Sequence, residues 1–361
     1  MSEKTRPTQR ERGSGSIELR RTALCASAAA LLLTASLSLA AAQPPVMRAI
    51  VFENATLELR KVQIPQPGAM QVRVQVRAAG VNPIDWKMAD GFRTPNVPGN
   101  ALAAPTPPAA AWTPGFDAAG VIVAVGANVT NWKVGDEVFG QLDSPGSYAQ
   151  YALLPASAIA RKPAALSFER AAGIPSTGSA AWAVVVDQAK VRAGQRVLVQ
   201  GGAGGVGSAA VQIAKSRGAY VIATALKAHH GYLRKTLGVD EVIDYETQRF
   251  EDHVKDVDLV INTVNAEVAT RSIAVTRRGG AIISLSGQAD ATRCAAAGVQ
   301  CALRAGGGTP KAEVFAALAS MAAEGRYDIY VEKTFALKEA SQAWDHSRLN
   351  ATMGKLIMVV K

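Results

Sequence analysis

The stretch from Gly201 to Lys215, GGAGGVGSAAVQIAK, constrains the fold of this chain more than any other. It follows the apolar run Val197 to Val199, which predicts a buried strand, and it leads into apolar residues at helical spacing. Its glycines form the pattern G-x-G-x-x-G: the first permits a tight turn, the second lets the backbone approach a pyrophosphate, and the third lets helix and strand pack closely. The sequence therefore predicts a dinucleotide-binding loop whose contacts come from Gly202, Gly204, Gly205, Val206 and Gly207.

The residues after this loop indicate which dinucleotide it binds. NAD sites usually place an acidic side chain about 20 residues beyond the glycines, where it accepts hydrogen bonds from the ribose hydroxyls. No Asp or Glu occurs between Gly207 and Val239, whereas Lys227 follows the second predicted strand, Tyr220 to Thr224. A cation at this place can pair with a 2'-phosphate. We predict NADPH as the cofactor with Lys227 as a contact, and a solvated helix charge is the alternative for Lys227.

Length and composition bound the class of protein. A chain of 361 residues exceeds the usual size of one core and predicts two domains. It is 48% hydrophobic and 19% charged, so it has ample apolar material for packed interiors. The net charge is +10, but residues 1–42 carry three of these charges and the remainder forms no basic block. A nucleic-acid partner is therefore not expected.

The first 42 residues resemble an export signal. A basic, polar start is followed by an uncharged stretch from Thr22 to Ala42 that ends in an A-x-A cleavage pattern. The pair Arg20-Arg21 is similar to a twin-arginine signal, and a general secretory signal or an uncleaved anchor are the alternatives. We expect an exported, periplasmic protein, or a cytoplasmic one if the leader is not functional. No later segment approaches the ~20 apolar residues of a membrane span, so none is expected after cleavage.

The cysteines bear on the compartment. Cys25 lies in the leader, whereas Cys294 and Cys301 stand in an Ala/Gly-rich stretch. These two could pair in an oxidising compartment, and two ordinary thiols in a loop are the alternative.

The rest of the chain shows two different hydrophobic patterns, one in each half. Up to about Pro163, short alternating runs are broken by Gly and Pro, which predicts an antiparallel, barrel-like β domain. From about Arg170, apolar runs alternate with helical stretches, which predicts a doubly wound parallel sheet. The tail returns to strand character and is expected to complete the first domain. The predicted strands include 48–52, 71–76, 119–125, 148–151, 197–200, 221–224, 241–244, 258–262, 281–286 and 356–360.

Several segments occur in an order that is similar to one enzyme family. Besides the glycine loop they are AAGVNPIDWK from Ala78, PGFDAAGV from Pro114, VGDEVFG from Val134, GSYAQY from Gly146, Asp240 to Tyr245, and Gly354-Lys355. Together they resemble the zinc-independent medium-chain dehydrogenase/reductases of the quinone oxidoreductase, zeta-crystallin-like branch. The resemblance implies an α/β fold: a GroES-like β-barrel catalytic domain, an inserted Rossmann domain that binds NADPH, and a cleft between them. The expected boundaries are 1–42 for the leader, 47–170 and 316–361 for the catalytic domain, and 171–315 for the Rossmann domain.

Zinc ligands are missing where zinc-dependent relatives carry them. Those relatives have Gly-His-Glu where this chain has Gly115-Phe116-Asp117, and the four histidines lack zinc-ligand spacing. No metal site is expected. Without a Lewis acid the acceptor must already be electrophilic, so we predict hydride transfer from NADPH to a quinone or an α,β-unsaturated carbonyl.

The resemblance also places candidate site residues. Asn82 is expected at the nicotinamide end of the cleft, where it could donate to the substrate carbonyl, and Lys87 could support the oxyanion. A turn residue before Pro83 is the alternative for Asn82, and a solvated surface residue for Lys87. The further expected cofactor contacts are Thr177, Tyr245, Asn262, Thr263 and Val264, the last three at a strand end where doubly wound sheets bind ligands.

The sequence is also compatible with two other functions. The chain could bind NADPH without turnover, because fold does not dictate function. In that case the Pro-rich stretch 101–112 would fill the cleft. A zinc alcohol dehydrogenase is the third alternative. A homodimer is compatible with such a fold, although no interface signal is visible in the sequence.

Overall fold

The computed structural model describes residues 45–91, 111–304, 312–349 and 352–361. The predicted leader and most of the Pro-rich stretch 101–112 lie outside these ranges. The described residues form one compact unit that begins at Pro45.

The β-rich part contains two mainly antiparallel sheets. The smaller one is made of β1 (Val46–Glu53), β2 (Thr56–Gln63) and β4 (Ala111–Trp112), in the order β2-β1-β4. The larger one is made of β3 (Gln71–Val81), β5 (Asp117–Val125), β6 (Glu137–Gln141), β7 (Tyr151–Pro155), β8 (Ile159–Arg161), β15 (Val331–Ala336) and β16 (Lys355–Val359). Its order is β15-β16-β3-β5-β6-β8, and β7 pairs with β3. The tail strand β16 thus joins the sheet of the first part, antiparallel to β3.

Residue alternation explains the central strand β3. Val72, Val74 and Val76 are buried, while Arg73 and Arg77 alternate with them and are more exposed. In a strand, successive side chains point to opposite faces, so the valines enter the core between this sheet and its neighbours.

The strand predicted over 148–151 is displaced in the structure. The pairing strand is β7 at Tyr151–Pro155, and Tyr148 lies before it with no exposed surface. Tyr148 is held by backbone hydrogen bonds to Pro114 and Ile50 and contributes its ring to the core. The predicted segment pairs with β1 only through an isolated antiparallel bridge between Ala149 and Ala49, so it forms no continuous strand before Tyr151.

The second part is a parallel sheet of six strands. These are β9 (Arg196–Gln200), β10 (Tyr220–Ala225), β11 (Glu241–Asp244), β12 (Val257–Asn262), β13 (Thr276–Ser284) and β14 (Gln300–Leu303). The order β11-β10-β9-β12-β13-β14 is the Rossmann order 3-2-1-4-5-6, so the predicted doubly wound sheet is confirmed. The strands that follow β9 along the chain are added first on one side of it and then, from β12 onward, on the other side. This reversal of strand order makes the carboxyl ends of β9 and β12 the expected ligand site.

Helices cover both faces of the parallel sheet, and others pack against the strands of the β-rich part. They are α1 (Pro83–Ala89), α2 (Phe168–Ala172), α3 (Pro175–Trp182), α4 (Gly205–Ser216), α5 (His230–Lys235), α6 (Ala266–Arg271), α7 (Ala291–Ala297), α8 (Ala312–Ala323) and α9 (Ala340–Arg348). A π-helical turn, Ala183–Gln188, continues α3. One hydrophobic core runs from β3, β5 and β6 through α3 and α4 to the parallel sheet, so the two parts share packing. Cys294 in α7 and Cys301 in β14 form a disulfide, the first of the two alternatives for these residues.

Candidate active site

The glycine loop joins β9 to α4 and is packed too tightly for larger residues. A Cβ on Gly207 would lie 2.1 Å from the carbonyl oxygen of Gly201, and one on Gly202 would lie 2.7 Å from the Cβ of Ala223. Gly201 has a φ of 75°, which favours glycine. At Gly204 the nearest atom to a Cβ is 3.6 Å away, an ordinary contact distance, so this position is less crowded than Gly202 and Gly207. The loop therefore has the tight turn and the less crowded backbone that a pyrophosphate requires.

The end of β12 lies directly beside this loop. The Thr263 hydroxyl donates to the carbonyl oxygen of Gln200 at 2.7 Å. The fully buried Asn262 accepts from the Val264 backbone at 3.3 Å and donates to the Asn265 carbonyl at 3.0 Å. These bonds hold residues 262–264 in a fixed turn and leave the Val264 side chain 42% exposed. The structure thus brings the predicted group at the end of β12 next to the glycine loop.

Lys227 and Tyr245 lie further along the same carboxyl edge. Lys227 is exposed in a single 3₁₀ turn after β10, and Tyr245 is 50% exposed directly after β11. Strands β10 and β11 lie on the side of β9 that faces away from β12. Both residues therefore lie at the carboxyl edge of the sheet, on one side of the glycine loop.

Thr177 reaches the glycine loop from α3. Its methyl group lies 3.0 Å from where a Gly205 Cβ would stand, and its hydroxyl donates to the Gly173 carbonyl at 2.7 Å. Val206, the next residue of α4, is partly buried against the shared core. The predicted contacts of the loop and of Thr177 therefore converge on the first turn of α4.

A buried polar cluster surrounds Asn82. The Asn82 amide nitrogen donates to Asp117 at 3.0 Å, and its oxygen accepts from the ammonium of Lys355 at 2.5 Å. Asp117 also accepts from the Ser176 hydroxyl at 2.6 Å. Asn82 is 4% exposed, Lys355 is 5% exposed and Asp117 has no exposed surface. Both polar ends of the Asn82 side chain thus have protein partners.

Asp85 closes the same cluster from α1. One of its oxygens accepts from the Asn82 backbone at 2.9 Å and from the Tyr148 hydroxyl at 2.8 Å. Its other oxygen is buried and has no hydrogen-bond partner in the part of the chain that the structure describes. Burial raises the pKa of Asp85 to about 7, against an ordinary value of 3.8.

Charge in the cluster is unequal, because two carboxyl groups face one ammonium group. Burial raises the pKa of Asp117, and the nearby Lys355 ammonium opposes this rise. Burial also lowers the pKa of Lys355, and the two carboxyl groups oppose that change. A protonated Asp85 beside an ionised Asp117 and Lys355 leaves the cluster close to neutral, which a buried site favours.

Lys87 lies apart from these hydrogen bonds. It is partly buried on α1, and its ammonium stands 5.5 Å from the centre of the Trp86 ring. Trp86 in turn donates to the Ser347 hydroxyl of α9 at 3.1 Å. Of the two predicted catalytic residues, Asn82 directly precedes α1 and Lys87 lies within it, but the structure does not bring their side chains together.

Three members of the cluster were not predicted as site residues: Lys355, Asp85 and Asp117. All three stand in the segments that carry the family resemblance: Lys355 ends the motif GK, Asp85 ends NPID and Asp117 ends GFD. The useful signal was an ionisable residue inside otherwise apolar strands and turns, because such residues are rarely buried without a partner. Lys355 begins the apolar run of β16, and Asp117 begins that of β5.

The described residues offer no group of three His, Cys, Asp or Glu side chains that could share a metal ion. Within those same ranges, no helix is both long enough and apolar enough to cross a bilayer.

Known proteins match both parts of the chain. An alcohol dehydrogenase GroES-like domain matches residues 68–191, a zinc-binding dehydrogenase domain matches 237–358, and the C-terminal domain of alanine dehydrogenase/PNT matches 175–279. A quinone oxidoreductase of Pongo abelii is 33% identical over 251 residues, which cover 66% of this chain and 72% of that protein. The chain belongs to the quinone oxidoreductase branch of the medium-chain dehydrogenase/reductases.

Other members of this branch are similar to the same degree. The 2-methylene-furan-3-one reductase of Solanum lycopersicum is 36% identical over 236 residues, 63% of this chain and 57% of that protein. The NADPH-dependent alkenal/one oxidoreductase of Arabidopsis thaliana is 32% identical over 280 residues, 72% of this chain and 67% of that protein. The structure of the quinone oxidoreductase from Coxiella burnetii superposes with a TM-score of 0.75 at 30% identity, covering 88% of this chain and all of that one. The predicted fold class, with a GroES-like part and a Rossmann part, is confirmed for this quinone oxidoreductase family member, and its dinucleotide loop is of the NAD(P) type.

Proposed function

We propose that this protein is an NADPH-dependent reductase that transfers hydride to a quinone or an α,β-unsaturated carbonyl without a metal ion. The observation that carries the proposal is the backbone contact of Gly354 with the glycine loop, in which the Gly354 N–H donates to Ala203 at 2.8 Å. Through this contact the nucleotide loop stands beside the buried cluster of Lys355, Asn82 and Asp117. The acceptors named for the relatives from tomato, Arabidopsis and orangutan all belong to this chemical class.

The glycine loop fits a dinucleotide, and Lys227 favours the phosphorylated form. Free N–H groups at the start of α4 and the less crowded backbone at Gly204 suit a pyrophosphate. Lys227 is exposed at the end of β10, where a 2'-phosphate would need a cation. When bound, NADPH supplies the hydride.

Asp117 supports the metal-free chemistry. It stands where the resemblance places the Glu of a zinc-binding Gly-His-Glu, but it is fully buried and accepts from Asn82 and Ser176. An acceptor reduced here must therefore be polarised by its own conjugation. A new C–H bond forms at carbon, the π electrons move to oxygen, and a proton completes the product.

The chain's own residues divide the remaining tasks. Both polar ends of Asn82 bind Lys355 and Asp117, so we assign Asn82 to the frame of the site and not to direct donation. Lys87 carries an ammonium on α1, beside the Trp86 ring, and is our candidate for stabilising negative charge on the substrate oxygen. Thr177 lines the first turn of α4 and is proposed as a cofactor contact.

The test follows NADPH absorbance with a panel of acceptors: a benzoquinone, a naphthoquinone, an alkyl vinyl ketone, an alkenal, and a simple alcohol with NAD⁺. We expect turnover of one or more conjugated acceptors with NADPH and none of the alcohol. Alcohol oxidation with NAD⁺ alone, or zinc that copurifies in stoichiometric amount, would reverse the proposal. NADPH binding without turnover of any acceptor would favour a non-catalytic binding protein.

We also propose that the protein is exported with residues 1–42 as its signal. The Cys294–Cys301 disulfide supports this, because such bonds persist in oxidising compartments. Fractionation of cells that produce the chain with and without residues 1–42 tests it: both forms in the cytoplasm would contradict export. A homodimer stays a prediction, which sedimentation of the purified protein decides.

A further inference from the structure

Lys355 touches both halves of the proposed active site. Its ammonium donates to the Val81 carbonyl at 2.9 Å and to the Asn82 amide oxygen at 2.5 Å. These two residues form the junction between β3 and α1. Lys355 is 5% exposed, so water does not compete for these bonds.

The other end of Lys355 contacts the nucleotide loop. A Cβ on Gly205 would lie 3.1 Å from the Cδ of Lys355, which places the lysine stem against the first turn of α4. The preceding residue, Gly354, pairs with Gly204 as an isolated parallel bridge. One residue thus spans from the start of α4 to the start of α1.

The positive charge of Lys355 determines how the Asn82 amide is oriented. With the oxygen toward Lys355 and the nitrogen toward Asp117, both ends are satisfied. The reversed amide would set its N–H groups against an ammonium, which has no acceptor, and its oxygen against a carboxylate. Removing the ammonium therefore removes one of the two contacts that fix this side chain and the only one of them that ties it to β16.

We propose that Lys355 is a positioning residue that couples nucleotide binding at the glycine loop to the placement of Asn82 and of α1, which begins directly after Asn82 and carries Lys87. The inference rests on the proposed function, because it assumes that the loop binds NADPH. When the nucleotide orders the glycine loop, the loop restrains Gly354 and the aliphatic stem of Lys355. The Lys355 ammonium then restrains Val81 and Asn82 through its two hydrogen bonds. Nucleotide binding then restrains the substrate side of the site further, beyond the contacts that Lys355 already makes.

Hydrogen exchange of the full chain with and without NADPH tests this coupling. In the wild-type protein we expect NADPH to slow amide exchange in residues 201–207 and also in 82–89. In Lys355→Met the slowing in 201–207 should persist and that in 82–89 should disappear. With a conjugated acceptor, kcat should fall by on the order of a hundred-fold, as expected for a misplaced reacting group, while the KM for NADPH changes little.

Two further variants guard the test. Lys162→Met removes another lysine with a buried side chain, which donates to the Leu166 carbonyl at 2.7 Å and pairs with Glu137, and it should leave both effects intact. Asn82→Ala breaks the same contact from the other partner and carries the test if Lys355→Met does not fold. It should also abolish slowing in 82–89, and the double variant should lose no more than either single one.

Slowing in 82–89 that persists in Lys355→Met and Asn82→Ala would overturn the inference and leave the proposed function standing. Wild-type protein in which NADPH slows 201–207 but not 82–89 would do the same. Absence of any slowing in wild-type 201–207 would overturn the proposed function, and the role of Lys355 with it.

Discussion

Gly207 and Gly204 offer a matched pair of substitutions that separates folding of the nucleotide loop from its binding function. In Gly207→Ala the new Cβ would stand 2.1 Å from the Gly201 carbonyl oxygen and 2.9 Å from its carbonyl carbon. Ordinary contacts of carbon are about 3.5 Å, so relief of the 2.1 Å contact alone requires a separation of about 1.4 Å between α4 and the loop. The obstacle is backbone and cannot rotate aside. We therefore expect a loss of about 3 kcal/mol, the upper end for an overpacked site.

In Gly204→Ala the nearest atoms are the carbonyl oxygens of Gly201 at 3.6 Å and Thr352 at 4.0 Å. This methyl group fits the folded protein but stands where the backbone must approach a pyrophosphate. We expect the melting temperature of Gly204→Ala to stay within about 2 °C of wild type and its affinity for NADPH to fall at least about ten-fold. Gly207→Ala should melt on the order of 6–12 °C lower.

Thermal unfolding of the nucleotide-free protein and titration with NADPH, read by tryptophan fluorescence, measure the two effects separately. The reasoning is refuted if Gly207→Ala melts with the wild type, because the contact at 2.1 Å then has no cost. It is refuted equally by Gly204→Ala that binds NADPH with unchanged affinity.

Three further outcomes follow from the structure. The unfolded chain releases the Asp85 proton near the ordinary pKa of 3.8, whereas the folded protein holds it up to about 7; wild-type stability relative to Asp85→Asn should therefore fall between these pH values, by at most about 1.4 kcal/mol per unit. Urea unfolding of the wild type and of Asp85→Asn across this pH range measures the difference in free energy of unfolding. If the two free energies change with pH in parallel, the raised pKa of Asp85 is contradicted. Reducing the Cys294–Cys301 bond should cost about 2 kcal/mol, since it closes a short loop; melting with and without a reductant shows this, and Cys294→Ser should lose the effect of the reductant. Lys227→Ala should weaken binding of NADPH by about three- to ten-fold and leave NADH unchanged, because the exposed cation meets only the 2'-phosphate; equal effects on both nucleotides would refute that contact.

Local pattern predicted the parallel sheet and its loop well. The strand before Gly201 and the helix after it are set by neighbours within a few residues, so periodicity and glycine spacing were sufficient. Five of the described strands were not predicted: β2, β4, β6, β8 and β14. β2 has the sequence TLELRKVQ, whose charged residues hide the alternation at an exposed sheet edge, and β14 is only four residues long in an Ala/Gly-rich stretch.

The Asn82 cluster shows what a local pattern does not contain. Lys355 and Asn82 are 273 residues apart, and their contact exists only after β16 has paired with β3. The sequence marked Asn82 as a site residue through its motif but gave no sign that Asp117 and Lys355 would occupy both ends of its amide. Burial of charge depends on the tertiary fold, which is why the sequence suggested a free donor and the structure has a bound one.

The position of β16 has a consequence for biosynthesis. The glycine loop and Asn82 leave the ribosome long before residues 352–361, yet these last residues supply Gly354 beside the loop, Lys355 beside Asn82 and the strand that joins β3 to β15. During translation the nucleotide pocket therefore stays incomplete until residues 352–361 have been synthesised. A stop codon placed before residue 352 should therefore yield a chain that neither closes its first sheet nor retains a nucleotide.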